Sequence, residues 1–150
     1  MTTQRTTLRA AGVATKRELT FVVPGVPSPK KRPRAVRLPN GQIRTYTPDE
    51  ASFIPRVQTH AQNAGVTVYD GGVALGITIS RRAPMGWSQK KRLTLLGTTC
   101  TSGADAVNVA AAICDALEGV AYHDDRVVQL DSCWRFWAEQ DETRITVRRL

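Results

Sequence analysis

The sequence predicts an α+β (α/β) fold, a mixed β-sheet packed against two main helices. Three observations carry this reading. Strand formers cluster in short runs bounded by turn residues, two longer stretches carry helical start and stop signals, and both kinds interleave along one chain of 150 residues. That length suits one domain with a real core. A hydrophobic fraction of 41% and a charged fraction of 23% argue against wholesale disorder.

Taken in order, residues 1–17 are rich in Thr, Ala and Arg, with no acid before Glu18. They resemble a transit peptide in composition but have no apolar run of signal-peptide type, so a flexible basic tail is expected, followed by a domain over 18–150. Glu18 to Val23 reads as a strand ending at Pro24-Gly25. Val26 to Pro39 carries Pro27, Pro29, Pro33 and Pro39, each fixing φ and removing a donor, so an extended loop is expected. Asn40-Gly41 signals a hairpin, with Gln42 to Tyr46 as the returning strand. Thr47-Pro48-Asp49-Glu50 combines a capping hydroxyl, a first-turn proline and acids at the positive end of the dipole. The helix it opens should run to about Asn63, with Pro55 as its kink point.

Val73 to Ser80 alternates as a central strand should, and a short helix is expected over Gln89 to Leu95 inside a polar, irregular stretch. Asp105 to Leu117 reads as the second main helix, with Gly119 just past its end. Its polar face is expected at Asp105, Asn108, Ala112 and Asp115, with Asp115 structural and Cys114 filling the core. Val127 to Trp137 and Arg144 to Arg149 read as two strands joined as a hairpin across Ala138 to Thr143.

The net charge of +8 and a pI near 10.0 favour polyanionic partners, bound in a salt-dependent way. Lys30, Lys31, Arg32, Arg34, Arg37 and Arg44 concentrate that charge in the proline-rich loop and its return, as residues that contact DNA phosphates. The same string mimics a nuclear-import patch. Trp87, Trp134, Trp137 and Tyr46 are either base-stacking residues or, for most of them, core and interface aromatics. Cys100, Cys114 and Cys133 form neither a disulfide framework nor a zinc motif, which points to a reducing, cytoplasmic setting. No stretch approaches the ~20 apolar residues of a membrane span.

Two blocks carry a family resemblance. The first is Gly25-Val26-Pro27, then Lys30, Arg32-Pro33-Arg34, then Arg44-Thr45-Tyr46-Thr47-Pro48. The second, more specific, is Asp115-Ala116-Leu117-Glu118-Gly119-Val120-Ala121-Tyr122 followed by Asp124-Asp125-Arg126-Val127-Val128. Together they resemble the RusA family of Holliday-junction resolvases, over roughly Leu19 to Val147. The resemblance implies a homodimeric, Mg²⁺-dependent endonuclease of bacterial or phage type that binds four-way DNA junctions by shape.

The resemblance also implies a site: a KPDxDN segment opening the catalytic helix, a lysine three residues beyond its Asn, and an acid from the later DD pair. Counting back from Asp115 without gaps places Asp105 and Asn108 on the retained positions. Gly103 and Ala104 replace the Lys-Pro, Val107 stands where the second acid belongs, and Ala111 where the lysine belongs. Asp125 keeps the acid of the pair, so Asp105 and Asp125 are the catalytic candidates. With Asp124 they are also the candidate metal ligands. Phosphodiester hydrolysis needs hard oxygen ligands and a positive charge near the transition state. Losing an acid and a lysine costs each ~10²–10³-fold or more in comparable sites. A weakened Mg²⁺ site is therefore expected, since magnesium often takes only one or two carboxylates plus waters. His123 would add a ligand for a softer metal; a solvent-facing position is the plainer expectation for it.

Three functions remain open on this reading. A branched-DNA-binding protein with lost or impaired cleavage stands slightly ahead of an active nuclease with a rearranged site. A factor repurposed to bind another protein comes third.

Overall fold

The computed structural model describes residues 17–29, 34–46 and 53–150. The tail up to residue 16, Lys30, Lys31, Arg32 and the expected helix cap at Thr47-Pro48 lie outside the described residues. The elements in chain order are β1 (Glu18–Pro24), β2 (Arg34–Arg37), β3 (Ile43–Tyr46), α1 (Phe53–Asn63), β4 (Val73–Arg82), α2 (Gln89–Leu95), α3 (Ala106–Leu117), β5 (Val128–Ala138) and β6 (Glu142–Arg149). A single 3₁₀ turn, Asp125–Val127, precedes β5.

Four strands make the main sheet in the order β1-β6-β4-β5. β4 runs parallel to β5 and antiparallel to β6, so the sheet is mixed, as expected. Alternate residues of β4 point to the same side. Val73, Leu75, Ile77 and Ile79, all essentially inaccessible, join Val57 and Ala61 of α1 and Val109, Ile113 and Leu117 of α3 in one core. The opposite side is polar: Thr20 and Thr146 share a 2.9 Å hydroxyl hydrogen bond, and Arg148 donates to Asp131 at 3.0 Å.

The expected hairpin between the last two strands does not form; β4 lies between β5 and β6. The short connection instead crosses the end of β4, and Asp141 fixes it there. The Asp141 carboxylate accepts from the Arg82 backbone N–H at 2.9 Å and pairs with the Arg81 guanidinium at 3.3 Å. Its carbonyl accepts from Gly25 N–H at 2.8 Å, tying the crossing to the end of β1 as well.

Arg34–Arg37 is a second correction: the proline-rich segment ends in a strand, β2, rather than continuing as loop. β2 pairs antiparallel with β3 in a separate two-stranded ribbon. Its turn carries Pro39 and Asn40, with Gly41 N–H donating to the Leu38 carbonyl at 2.9 Å. Leu38 N–H then donates to Gln42 O at 2.8 Å, closing a three-residue loop. Gly41, at φ +82, supplies the left-handed residue that such a loop requires.

β5 is an edge strand, and the segment before α3 shields part of it. Gly97 N–H donates to Trp137 O at 2.8 Å, Trp137 N–H to Thr98 O at 2.9 Å, and Cys100 N–H to Arg135 O at 3.1 Å. Such cover occupies the C-terminal end of a bare edge that would otherwise invite pairing with another chain.

Candidate functional site

Helix α3 organises the candidate acids. Asp105 is its N-cap, in extended conformation (φ −70°, ψ 156°), with its side chain accepting from the backbone of Asn108. The Asn108 amide donates to the other carboxylate oxygen at 2.8 Å. The sequence builds this start because a short acceptor side chain satisfies the unpaired N–H groups of a first turn. The next residue, Ala106, is fixed to the sheet, its carbonyl 3.5 Å from the Cys133 sulfur.

Two arginines from the sheet flank the loop into α3. Arg135 of β5 donates to the Ser102 carbonyl. Arg81 of β4 lies so close to Gly103 that a Cβ there would stand 2.9 Å from its Nη1. Gly103 also has φ +86, a region that side chains other than glycine adopt at a cost. They come from different strands, so no local pattern signals them; the sheet register, with Ile79 beside Arg135 and Arg81 beside Trp137, brings them together.

The outward stripe of α3 differs from the expected one. Ala112 is fully buried, because it meets the core cluster rather than solvent. Val107, Asn108 and Glu118 are exposed, and Ala111, Cys114 and Asp115 half-buried. Val107 is 78% exposed, an unusual setting for a valine on an otherwise well-packed helix. It and Ala111 are four residues apart and share one face.

At the far end of α3 the second sequence block folds over the helix terminus. Val120 N–H and Ala121 N–H both donate to the Leu117 carbonyl, at 3.0 and 2.8 Å, and Gly119 N–H donates to Tyr122 O at 2.7 Å. The buried Tyr122 hydroxyl donates to the Cys114 carbonyl at 2.6 Å. Burial, with the neighbouring Cys114 and Asp125, pushes the phenol above its ordinary range. This tether holds the Asp124–Asp125 segment against the last turns of α3; the Cys114 carbonyl lies ~13 Å along the axis from the cap.

The two acids of the pair have different surroundings. Asp124 accepts from Arg126 N–H at 2.9 Å and from its guanidinium at 2.8 to 3.2 Å. These hydrogen bonds hold its carboxyl down at about 2. Asp125 opens the 3₁₀ turn and is exposed. His123 is also exposed and pairs with Asp70 at 3.3 Å, the solvent-facing setting expected of it. Among the described residues, no three carboxylate, imidazole or thiol groups come together to hold a metal ion.

Chain order and local geometry match the two blocks together: a capped helix, its glycine stop, the tyrosine tether and the acid pair. The chain matches the family Endodeoxyribonuclease RusA over residues 24–148. It belongs to the RusA family. The match spans both blocks and every strand and helix except β1, of which it takes in only Pro24, and the last residue of β6. No curated protein matches the chain.

Arg37 and Arg44 are exposed on the β2–β3 ribbon. Val36 is the cross-strand partner of Arg44, and Arg37 that of Ile43, so the two arginines face opposite sides of the ribbon. Arg34 pairs through its backbone with Tyr46. Arg37 and Arg44 therefore present charge on both faces of the two-stranded ribbon. Trp134 is 59% exposed and stacks on Phe136 with centroids 6.1 Å apart, whereas Trp87 and Trp137 meet edge to face at 4.9 Å. Among the described residues, no helix is long and apolar enough to cross a membrane.

Proposed function

We propose that this chain is a branched-DNA-binding member of the RusA family in which metal-dependent cleavage is lost or impaired. The observation that carries the reading is the outward stripe of α3. Where the family pattern implies an acid and a lysine, that stripe presents Val107 and Ala111, side chains that can neither ligate an ion nor stabilise an anion. Of the remaining acids, Asp105 caps the helix and Asp124 pairs with Arg126, while Asp125 stays exposed at the 3₁₀ turn. The donor set does not fit a resident Mg²⁺.

Binding rests on different residues. Arg37 and Arg44 on a narrow ribbon, in a chain of net charge +8, suit contacts to phosphates on more than one strand. Two copies of the chain, related by a two-fold axis, would match a four-way junction in symmetry. A gel-shift titration tests the reading, comparing a four-way junction with linear duplex at moderate salt. Preferential retention of the junction is expected. Equal or absent binding of both would overturn it, and metal-dependent nicking abolished by Asp125→Asn would favour an active nuclease instead.

A further inference from the structure

Residues 81–104 contain five Lys and Arg and no acid. Helix α2 within this stretch buries none of its residues. It is fixed by surface contacts: Ser88 caps it by accepting from Lys91 N–H at 3.1 Å, and Arg92 donates to the Pro84 carbonyl at 3.1 Å. Trp87, just before the cap, leans edge-on against Trp137 of β5. The Lys91 ammonium sits over the Trp87 ring, 4.9 Å from its centroid. Lys90 and Lys91 are exposed, and Met85 and Leu93 are 77% and 76% exposed. Folding accounts for the pinned Arg92 and the Trp pair; it gives no reason for the outward lysines.

We infer that α2 and Trp87 form a second nucleic-acid contact, in which Lys90 and Lys91 hold backbone phosphates while Trp87 takes an unpaired base. The inference rests on the branched-DNA reading and adds a surface remote in sequence from the β2–β3 ribbon. The pairing of ammonium and indole is what selects this ligand. A phosphate draws Lys91 off the ring, and the uncovered ring face then accepts a base, so one ligand must carry an anion and a flat π-surface together. An acidic protein uses only the lysines. A membrane surface needs a broad apolar helix face, and Leu93 is the strongly exposed large apolar side chain of α2.

Fluorescence anisotropy tests this with a labelled four-way junction and a fork bearing single-stranded arms. Lys90→Glu with Lys91→Glu should weaken junction binding about tenfold or more at ~0.1 M salt and lower the log–log salt slope by about 1.8. Trp87→Leu should weaken binding of the fork and leave the slope unchanged. Circular dichroism melting confirms that each variant folds; the lysine pair, touching no core, keeps the test intact should Trp87→Leu unfold. Unchanged affinity and slope in the lysine variant, while Arg37→Ser with Arg44→Ser weakens binding, would overturn the second contact and leave the branched-DNA reading standing. Wild-type protein that binds neither DNA would remove both. Binding to phosphatidylcholine vesicles containing one-third phosphatidylserine that the lysine variant alone loses, with junction affinity intact, would also overturn the inference.

Discussion

Asn108 holds Asp105 from two sides, its backbone N–H reaching one carboxylate oxygen and its side-chain amide the other, both at 2.8 Å. Both atoms of the acid are therefore engaged in starting α3. An acid with this arrangement has a structural role whether or not it meets a ligand.

Asp105→Ala should destabilise the fold by about 1 kcal/mol, the usual value of a helix N-cap, whereas Asp105→Asn should cost only a fraction of that. Urea denaturation checks the pair. Equal losses in both variants would show that charge, rather than capping, is what the position supplies.

Restoring the family's lysine at Gly103 should be destructive even though the position is exposed. The left-handed backbone costs roughly 1–2 kcal/mol for a residue with a Cβ, and the Arg81 guanidinium must also move. Gly103→Lys should lower the thermal midpoint, with a smaller loss in an Arg81→Ala background.

Tyr122→Phe removes the hydroxyl that meets the Cys114 carbonyl at 2.6 Å and should cost about 1 kcal/mol. Spectrophotometric titration gives an independent check. The Tyr122 phenol, raised by burial, should stay protonated through the range where ordinary tyrosines ionise, until the chain unfolds.

Asp124 sets a pH dependence. Its carboxyl is held at about 2, below the ordinary 3.8, chiefly by the Arg126 side chain. A depressed acid gives its full stabilisation above the unfolded-state value and loses it as pH falls through the folded one. Between roughly pH 4 and 2 the wild type should therefore lose more stability than Asp124→Asn. Denaturation midpoints measured across that window decide it, and parallel curves would contradict the assigned pairing.

Much of the fold was legible because the responsible forces are local. Alternation marks β4, the Asp105 cap and Gly119 stop bound α3, and turn chemistry marks the turn at Asn40-Gly41 and the returning strand β3. What failed depends on long-range contact. The β5–β6 hairpin looked natural from its short connection, yet Asp141 binds the end of β4 and carries the chain across it. Ala112 looked polar by spacing but faces the core, because packing on α1 and the sheet sets the rotation of α3. The acids and their departures could be placed by resemblance, whereas the arginine brace on residues 102 and 103 emerges only from the register of β4 with β5.

The account turns on whether the outer stripe of α3 lacks the groups for cutting while the rest of the molecule still holds DNA. The direct measurement is four-way junction cleavage in Mg²⁺ and Mn²⁺ by the wild type beside Val107→Asp with Ala111→Lys. The account predicts that the wild type binds the junction without nicking it, and that the doubly substituted chain gains metal-dependent nicking. Efficient cleavage by the wild type would contradict it.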